Sequence, residues 1–255
     1  MMAKTNAKED ILKSASIDAE EVAFFANISD SWWDPDGPFK PLHQLNPTRV
    51  AYSRDALVKH FNVEHATRTP LKGLRILDIG CGGGLLSEPL TRLGATMVSI
   101  DATEKNIKVA KHHADMMRLD IDYRHITAEG LAEMGEQFDA IINMEVIEHV
   151  ADVDAFLATC KQILKPNGIM LVSTLNRTIK SLLLAKIGAE YILRWLPIGA
   201  HDWNKFIKPH DLEKALTRAG FTPTAPSGFV YNPLTSRWKI DESDLDINYV
   251  IGAIG

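Results

Sequence analysis

The chain lacks several features that would draw it into a special class. It has only two cysteines, Cys81 and Cys160, in 255 residues. That count excludes a disulfide framework, and the pair forms neither a CxxC motif nor a zinc-ligand set. A basic excess is missing too: 28 lysines and arginines stand against 33 aspartates and glutamates, a net charge of -5. A surface that tracks nucleic-acid phosphates needs clustered cations, and none cluster, so no nucleic-acid partner is expected. No uninterrupted apolar run reaches membrane-spanning length. The N-terminus, MMAKTNAKEDILK, lacks the apolar stretch of a signal peptide and carries the acidic residues that transit peptides avoid. A cytoplasmic protein, not integral to a membrane, is expected. Internal repeats and low-complexity tracts are absent as well.

What is present is alternation. Apolar residues at helical spacing run over 10–29. A Pro- and Trp-rich stretch over 31–47 predicts an ordered loop, and a helix follows over 48–61. Short apolar strands then alternate with helices. Strands are predicted at 75–78, 96–101, 121–126, 138–143 and 169–175, and helices at 85–93, 104–117, 151–164 and 209–219. This rhythm predicts an α/β fold with a parallel, doubly wound sheet and helices on both faces. Segments 222–230 and 247–254 predict an antiparallel pair at the sheet edge. About thirty residues separate the fifth strand from the last helix, too many for an ordinary connection, so 176–208 reads as an insertion. The division expected is a helical, Trp-rich cap over 1–70 and a main domain over 71–255.

The strongest local signal is Leu77-Asp78-Ile79-Gly80-Cys81-Gly82-Gly83-Gly84 after the first strand. Glycines let the backbone turn tightly and let a ligand approach closely. The dinucleotide fingerprint GxGxxG fails here, because Leu85 takes the third glycine place. The GxGGG run instead resembles motif I of class I S-adenosylmethionine-dependent methyltransferases. Asp101 ends the second strand about twenty residues later, where a carboxylate can accept both ribose hydroxyls, as it also would in a dinucleotide enzyme; a helix N-terminal acid is the other reading. Glu129, in AEGL after the third strand, is placed for an adenine contact.

Further runs name a narrower family. MEVIEHV (144–150), LKPNG (164–168), STLNRT (173–178), the block SWWDPDGPFKPLHQLNPTR (31–49), GAEYILRWLP (188–197), HDWNKFIKP (201–209) and YNP (231–233) resemble the ubiquinone-biosynthesis O-methyltransferases over nearly the whole chain. Two departures are a Trp for the usual aromatic in SWWDP and the residues after Tyr249. The resemblance implies a Rossmann-like class I methyltransferase fold with a mostly parallel seven-stranded sheet. It implies methylation of phenolic hydroxyls on polyprenyl-hydroxyphenol and demethylubiquinol intermediates; methylation of a small soluble phenol or catechol is the alternative reading. It also implies cofactor contacts at Arg49, Gly80, Asp101 and Met144, to which the glycine argument adds Gly82. Independently, the Arg49 guanidinium is suited to pairing the methionine carboxylate of the cofactor.

A phenol, with a pKa of about 10, must lose its proton before it is a good nucleophile. The candidates for that work are Glu145, Glu148 and His149, just after the fourth strand. Their spacing predicts one face of a helical turn. Two carboxylates and an imidazole suit a divalent cation, Mg or Zn, and the resemblance implies such a dependence. His149 as a metal-free base and a purely structural role are the other readings. The stretch RTIKSLLLAKIGAEYILRWL over 177–196 is basic and apolar with a Trp near one end. It predicts docking on an anionic membrane surface, on the inner face of the membrane, or a lid over the site; a dimer contact is a third use. Other enzymes of the ubiquinone pathway are candidate partners.

Overall fold

The computed structural model describes residues 17–63, 67–182, 203–232, 234–235 and 237–255. Most of the 177–196 stretch, His201, and the start of the first predicted helix lie outside them. Helix α1 (Ala19–Ile28) is capped by Asp18, whose carboxylate accepts from Glu20 N. A single 3-10 turn (Ser29–Ser31) leads toward α2 (Lys40–Phe61). The core then alternates: β1 (Arg75–Ile79), α3 (Ser87–Arg92), β2 (Thr96–Asp101), α4 (Glu104–Met116), β3 (Asp122–His125), α5 (Ala128–Glu133), β4 (Phe138–Met144), α6 (Val153–Ile163) and β5 (Leu164–Leu175). After the short α7 (Ile179–Ser181) come α8 (Pro209–Arg218), β6 (Thr222–Pro223), β7 (Ser227–Asn232), β8 (Arg237–Asp241) and β9 (Asn248–Ile254).

The strands form one sheet in the order β3-β2-β1-β4-β5-β9-β7-β8, with β6 also paired to β9. The first five are mutually parallel, and β9 runs antiparallel to β5. The order reverses between β1 and β4, and ligands of open α/β sheets bind above the strand C-termini at such a switch. One core cluster, including Phe138, Ile141, Leu157 and Leu216, joins one sheet face to α5, α6 and α8. A second, including Leu45, Leu57, Leu90 and Ile142, joins the other face to α2 and α3. Alternating strand residues feed the two faces, as their period of two requires.

Four expectations are corrected. Among the described residues the sheet has nine strands, not seven, and β9 lies inside it while β8 forms the edge. The stretch expected as one strand over 222–230 is split into β6 and β7 by a segment holding Pro226, which has no N–H to give a ladder. Helix α2 begins at Lys40, inside the expected loop. Pro41 stands at its first positions, where its missing N–H is harmless. Pro47 is inside the helix, and burial of Leu45 and Arg49 on either side holds the helix through it. Finally, β5 begins at Leu164 and takes the PNG turn into itself, with Asn167 in the left-handed region at φ 59°.

Candidate active site

The glycine loop joins β1 to α3. Gly80 and Cys81 both donate their N–H to the Ile100 carbonyl, at 2.9 and 3.0 Å, which ties the loop to the end of β2. Gly82 has a φ of 54°, and a Cβ there would lie 2.3 Å from the Trp32 ring. Glycine is required twice over, by backbone conformation and by close approach. Asp101 is 8 % exposed. Its Oδ2 accepts from Gly82 N at 2.9 Å, and its Oδ1 accepts from Thr103 N at 2.7 Å and Asn106 Nδ2 at 3.2 Å. Burial pushes its pKa up, while the donors from Thr103, Gly82 and Asn106 pull it back down. Asp78, beneath the loop, accepts from Ser87 Oγ at 2.5 Å, and burial pushes its pKa up to about 6.

Glu129 stands in the first turn of α5, which Thr127 caps. Both its carboxylate oxygens are buried, and neither finds a hydrogen-bond partner among the described residues. Arg49 is buried at 6 % exposure, between the negative charges of Glu145 and Asp78. Its Nη2 donates to Asn46 Oδ1 at 3.3 Å, and its Nε is buried with no partner among the described residues. A buried carboxylate and a buried guanidinium N–H left unmatched are costly unless a ligand completes them. The unmatched groups fit S-adenosylmethionine: an acceptor for an adenine amino group and a donor for a carboxylate.

The end of β4 differs from the helical turn expected there. Glu145 is left-handed, at φ 60°, and only Ile147–His149 form a 3-10 turn, so the three candidates do not share one helix face. Glu145 Oε1 accepts from Ser173 Oγ at 2.9 Å, and Glu148 Oε2 accepts from Thr174 Oγ1 at 2.9 Å. Burial, and then the charge of Glu148, push the Glu145 pKa well above the usual carboxylate range; Ser173, Arg49 and His149 oppose this. Met144 and Glu148 are buried, whereas Glu145 and His149 are half-buried. Among the described residues no group of three His, Cys, Asp or Glu side chains is placed to hold a metal ion. The expected set Glu145, Glu148 and His149 is not gathered as such a group here; Glu145 Oε1 and Glu148 Oε2 accept from hydroxyls on β5.

Sequence reasoning missed Asn106, Ser173 and Thr174. The two β5 residues lie in the STLN run, whose position at a strand C-terminus beside β4 was the available signal.

The match with known proteins is extensive. A family model described as "Methyltransferase domain" covers residues 50–225. A protein of Azorhizobium caulinodans named ubiquinone biosynthesis O-methyltransferase is 54% identical over 238 residues, 93% of this chain and 94% of its own length. One of the same name from Dinoroseobacter shibae is 52% identical over 239 residues, 94% and 96% of the two chains. The chain belongs to the ubiquinone biosynthesis O-methyltransferase family. The family's fold is shared by distant solved structures. Magnesium protoporphyrin IX methyltransferase from Synechocystis, solved with bound S-adenosylmethionine, superposes with a TM-score of 0.61 at 18% identity, covering 95% of this chain and 99% of that one. A methyltransferase from Thermotoga maritima gives 0.62 at 16% identity, covering 92% and 99%. The expected class I methyltransferase fold is thus borne out.

Proposed function

We propose that this enzyme of the ubiquinone biosynthesis O-methyltransferase family methylates phenolic oxygens of polyprenyl-hydroxyphenol and demethylubiquinol intermediates, with Glu145 as proton acceptor. The observation that carries the assignment is the half-buried Glu145 carboxylate in a left-handed turn at the end of β4, with its pKa raised. A base poised near neutral pH takes a proton most effectively. When bound, S-adenosylmethionine supplies an electrophilic methyl group on a sulfonium ion. Asp101 and Glu129 are the acceptors for the ribose and adenine, and Arg49 the donor for the methionine carboxylate. Gly80, Gly82 and the end of β4 at Met144 border the chain between, with Val146 and Trp32 packed against the two glycines. Glu148 holds Thr174 and raises the Glu145 pKa. His149 lowers it, so a protonated His149 stabilises the ionised base.

The proton step runs through protein groups alone in this reading, since the three candidate ligands are not gathered. The test is a methyl-transfer assay on a short-tailed demethylubiquinol, with and without chelator. Activity that survives chelation and fails in Glu145→Gln supports the reading. Activity lost on chelation and restored by Mg or Zn overturns it in favour of the metal.

The prenyl tail of such a substrate lives in a bilayer, so the 177–196 stretch is proposed to rest on an anionic membrane surface. Ile179 is 74 % exposed, which supports an apolar contact there. Lys180 pairs with Asp246 at 3.0 Å and Arg177 lies 3.7 Å from Asp211, which reduces the free positive charge. No helix among the described residues is long and apolar enough to cross a membrane. Liposome sedimentation that rises with anionic lipid and falls with salt is the expected behaviour.

A further inference from the structure

The cap does more than cover the glycine loop: it is wired to the carboxylate at the end of β2. Asn106 stands in the first turn of α4 and is 2 % exposed. Its Oδ1 accepts from Ser29 Oγ at 2.6 Å and from Trp32 Nε1 at 2.8 Å. Its Nδ2 donates to Asp101 Oδ1 at 3.2 Å. One amide thus collects two donors from the cap and passes one donor to the acid. The amide orientation is fixed by its neighbours, because the opposite placement would set its NH2 against two donors and its oxygen against a carboxylate.

The packing follows the same route. Trp32 stacks on Phe39 with ring centroids 3.7 Å apart, and its ring lies against Gly82 and Gly83. The neighbouring Trp33 donates its Nε1–H to the Gly83 carbonyl at 2.9 Å and stacks on His113, which itself contacts the buried Glu88 at 2.5 Å. The cap therefore holds the loop by its backbone and Asp101 through Asn106.

We infer that Asn106 is a positioning residue that couples closure of the Ser29–Trp32 cap to cofactor binding at Asp101. With the cap docked, three donors hold the Asp101 carboxylate in a single orientation, and only the lone-pair capacity they leave is open to a ligand. With the cap lifted, Asn106 loses both donors that fix its amide. A ligand that engages Asp101 then favours the docked cap, and the docked cap slows that ligand's release. Coupling of this kind is reciprocal by necessity. The inference rests on the reading of Asp101 as the ribose acceptor.

The experiment compares Ser29→Ala, Trp32→Phe and Asn106→Leu, singly and combined, by calorimetry with S-adenosylmethionine and by the release rate of S-adenosylhomocysteine. Each single variant removes a distinct part of the relay and is expected to weaken binding about three- to tenfold, mostly through faster release. Ser29→Ala removes one oxygen atom and guards against a folding defect in the others. Adding Ser29→Ala or Trp32→Phe to Asn106→Leu is expected to cause little further loss, since both cap donors act through that amide. The cofactor KM should rise far more than kcat at saturating cofactor falls, a split that a loosened core does not give. Full additivity, or unchanged affinity in all three while Asp101→Ala abolishes binding, overturns the coupling and leaves the Asp101 reading intact. Unchanged affinity in Asp101→Ala overturns that reading itself.

Discussion

The end of β2 and the end of β4 face the same crevice and are built in opposite ways. At β2 the acid is satisfied: Asp101 accepts from Gly82, Thr103 and Asn106. At β4 the polar groups are satisfied only in part: Ser173 and Thr174 each donate to one carboxylate. Asn143 is fully buried, and neither its oxygen nor its nitrogen finds a partner among the described residues. Glu148 Oε1 is in the same condition, and Glu145 sits in a strained backbone conformation with a raised pKa. A satisfied network is rigid, while an unsatisfied one stores free energy that a ligand or a proton transfer releases. The difference teaches a division of labour. The β2 end is pre-formed for a molecule that is always the same, and the β4 end keeps reactive capacity for the step that changes charge.

The sharpest way to break that comparison is at Glu145. Glu145→Gln should lower kcat by about 10²–10⁴-fold, the span of general base catalysis, with cofactor affinity within a few fold of wild type. Steady-state kinetics beside calorimetry checks it, and a large loss of cofactor affinity would erase the distinction between the two ends. Next comes Asp101→Ala, which removes two hydrogen bonds to a charged acceptor worth about 1.5–3 kcal/mol each. Binding should weaken by about a hundredfold or more, and calorimetry on folded protein reads it. The third effect is on stability and not on rate or binding, and it concerns Asp78, between the two ends. Its folded pKa of about 6 lies above the ordinary value of 3.8, so its stabilising contribution is complete below about pH 4 and is lost as the pH rises through about 6. Asp78→Asn should therefore be more stable than wild type above about pH 7, by at most about 3 kcal/mol, with the advantage gone below about pH 4. Thermal melts across pH give the sign directly.

The main sheet was legible because β1, β2, β4 and β5 are apolar runs ended by special residues: Asp78 before the glycines, Asp101 before a helix, Met144 before the EVIEH turn. The end of the chain was less legible. The β7–β8 hairpin carries Arg237, Lys239 and Asp241 on a sheet edge, where solvent relieves the need for an apolar pattern. The first part of helix α2, before the expected start at residue 48, was hidden by Pro41 and Pro47, whose local cost is outweighed by the burial of Leu45, Arg49, Leu57 and Val58. Candidates in the site were readable as residue types at strand ends. Their geometry was not, because i, i+3, i+4 spacing assumes a helix, and the left-handed Glu145 breaks it. Asn106 gave no signal in one sequence, since its role depends on a cap more than seventy residues away.

The central claim is that Glu145 removes the phenolic proton while the β2 end only holds the cofactor. Its most direct test is the pH dependence of single-turnover methyl transfer to a short-tailed demethylubiquinol, from enzyme already saturated with S-adenosylmethionine. In wild type the rate should rise with pH as Glu145 ionises and then level off. In Glu145→Gln it should start low and climb only as the phenol ionises by itself, toward about pH 10. A Glu145→Gln profile that follows wild type in both height and shape would contradict the account.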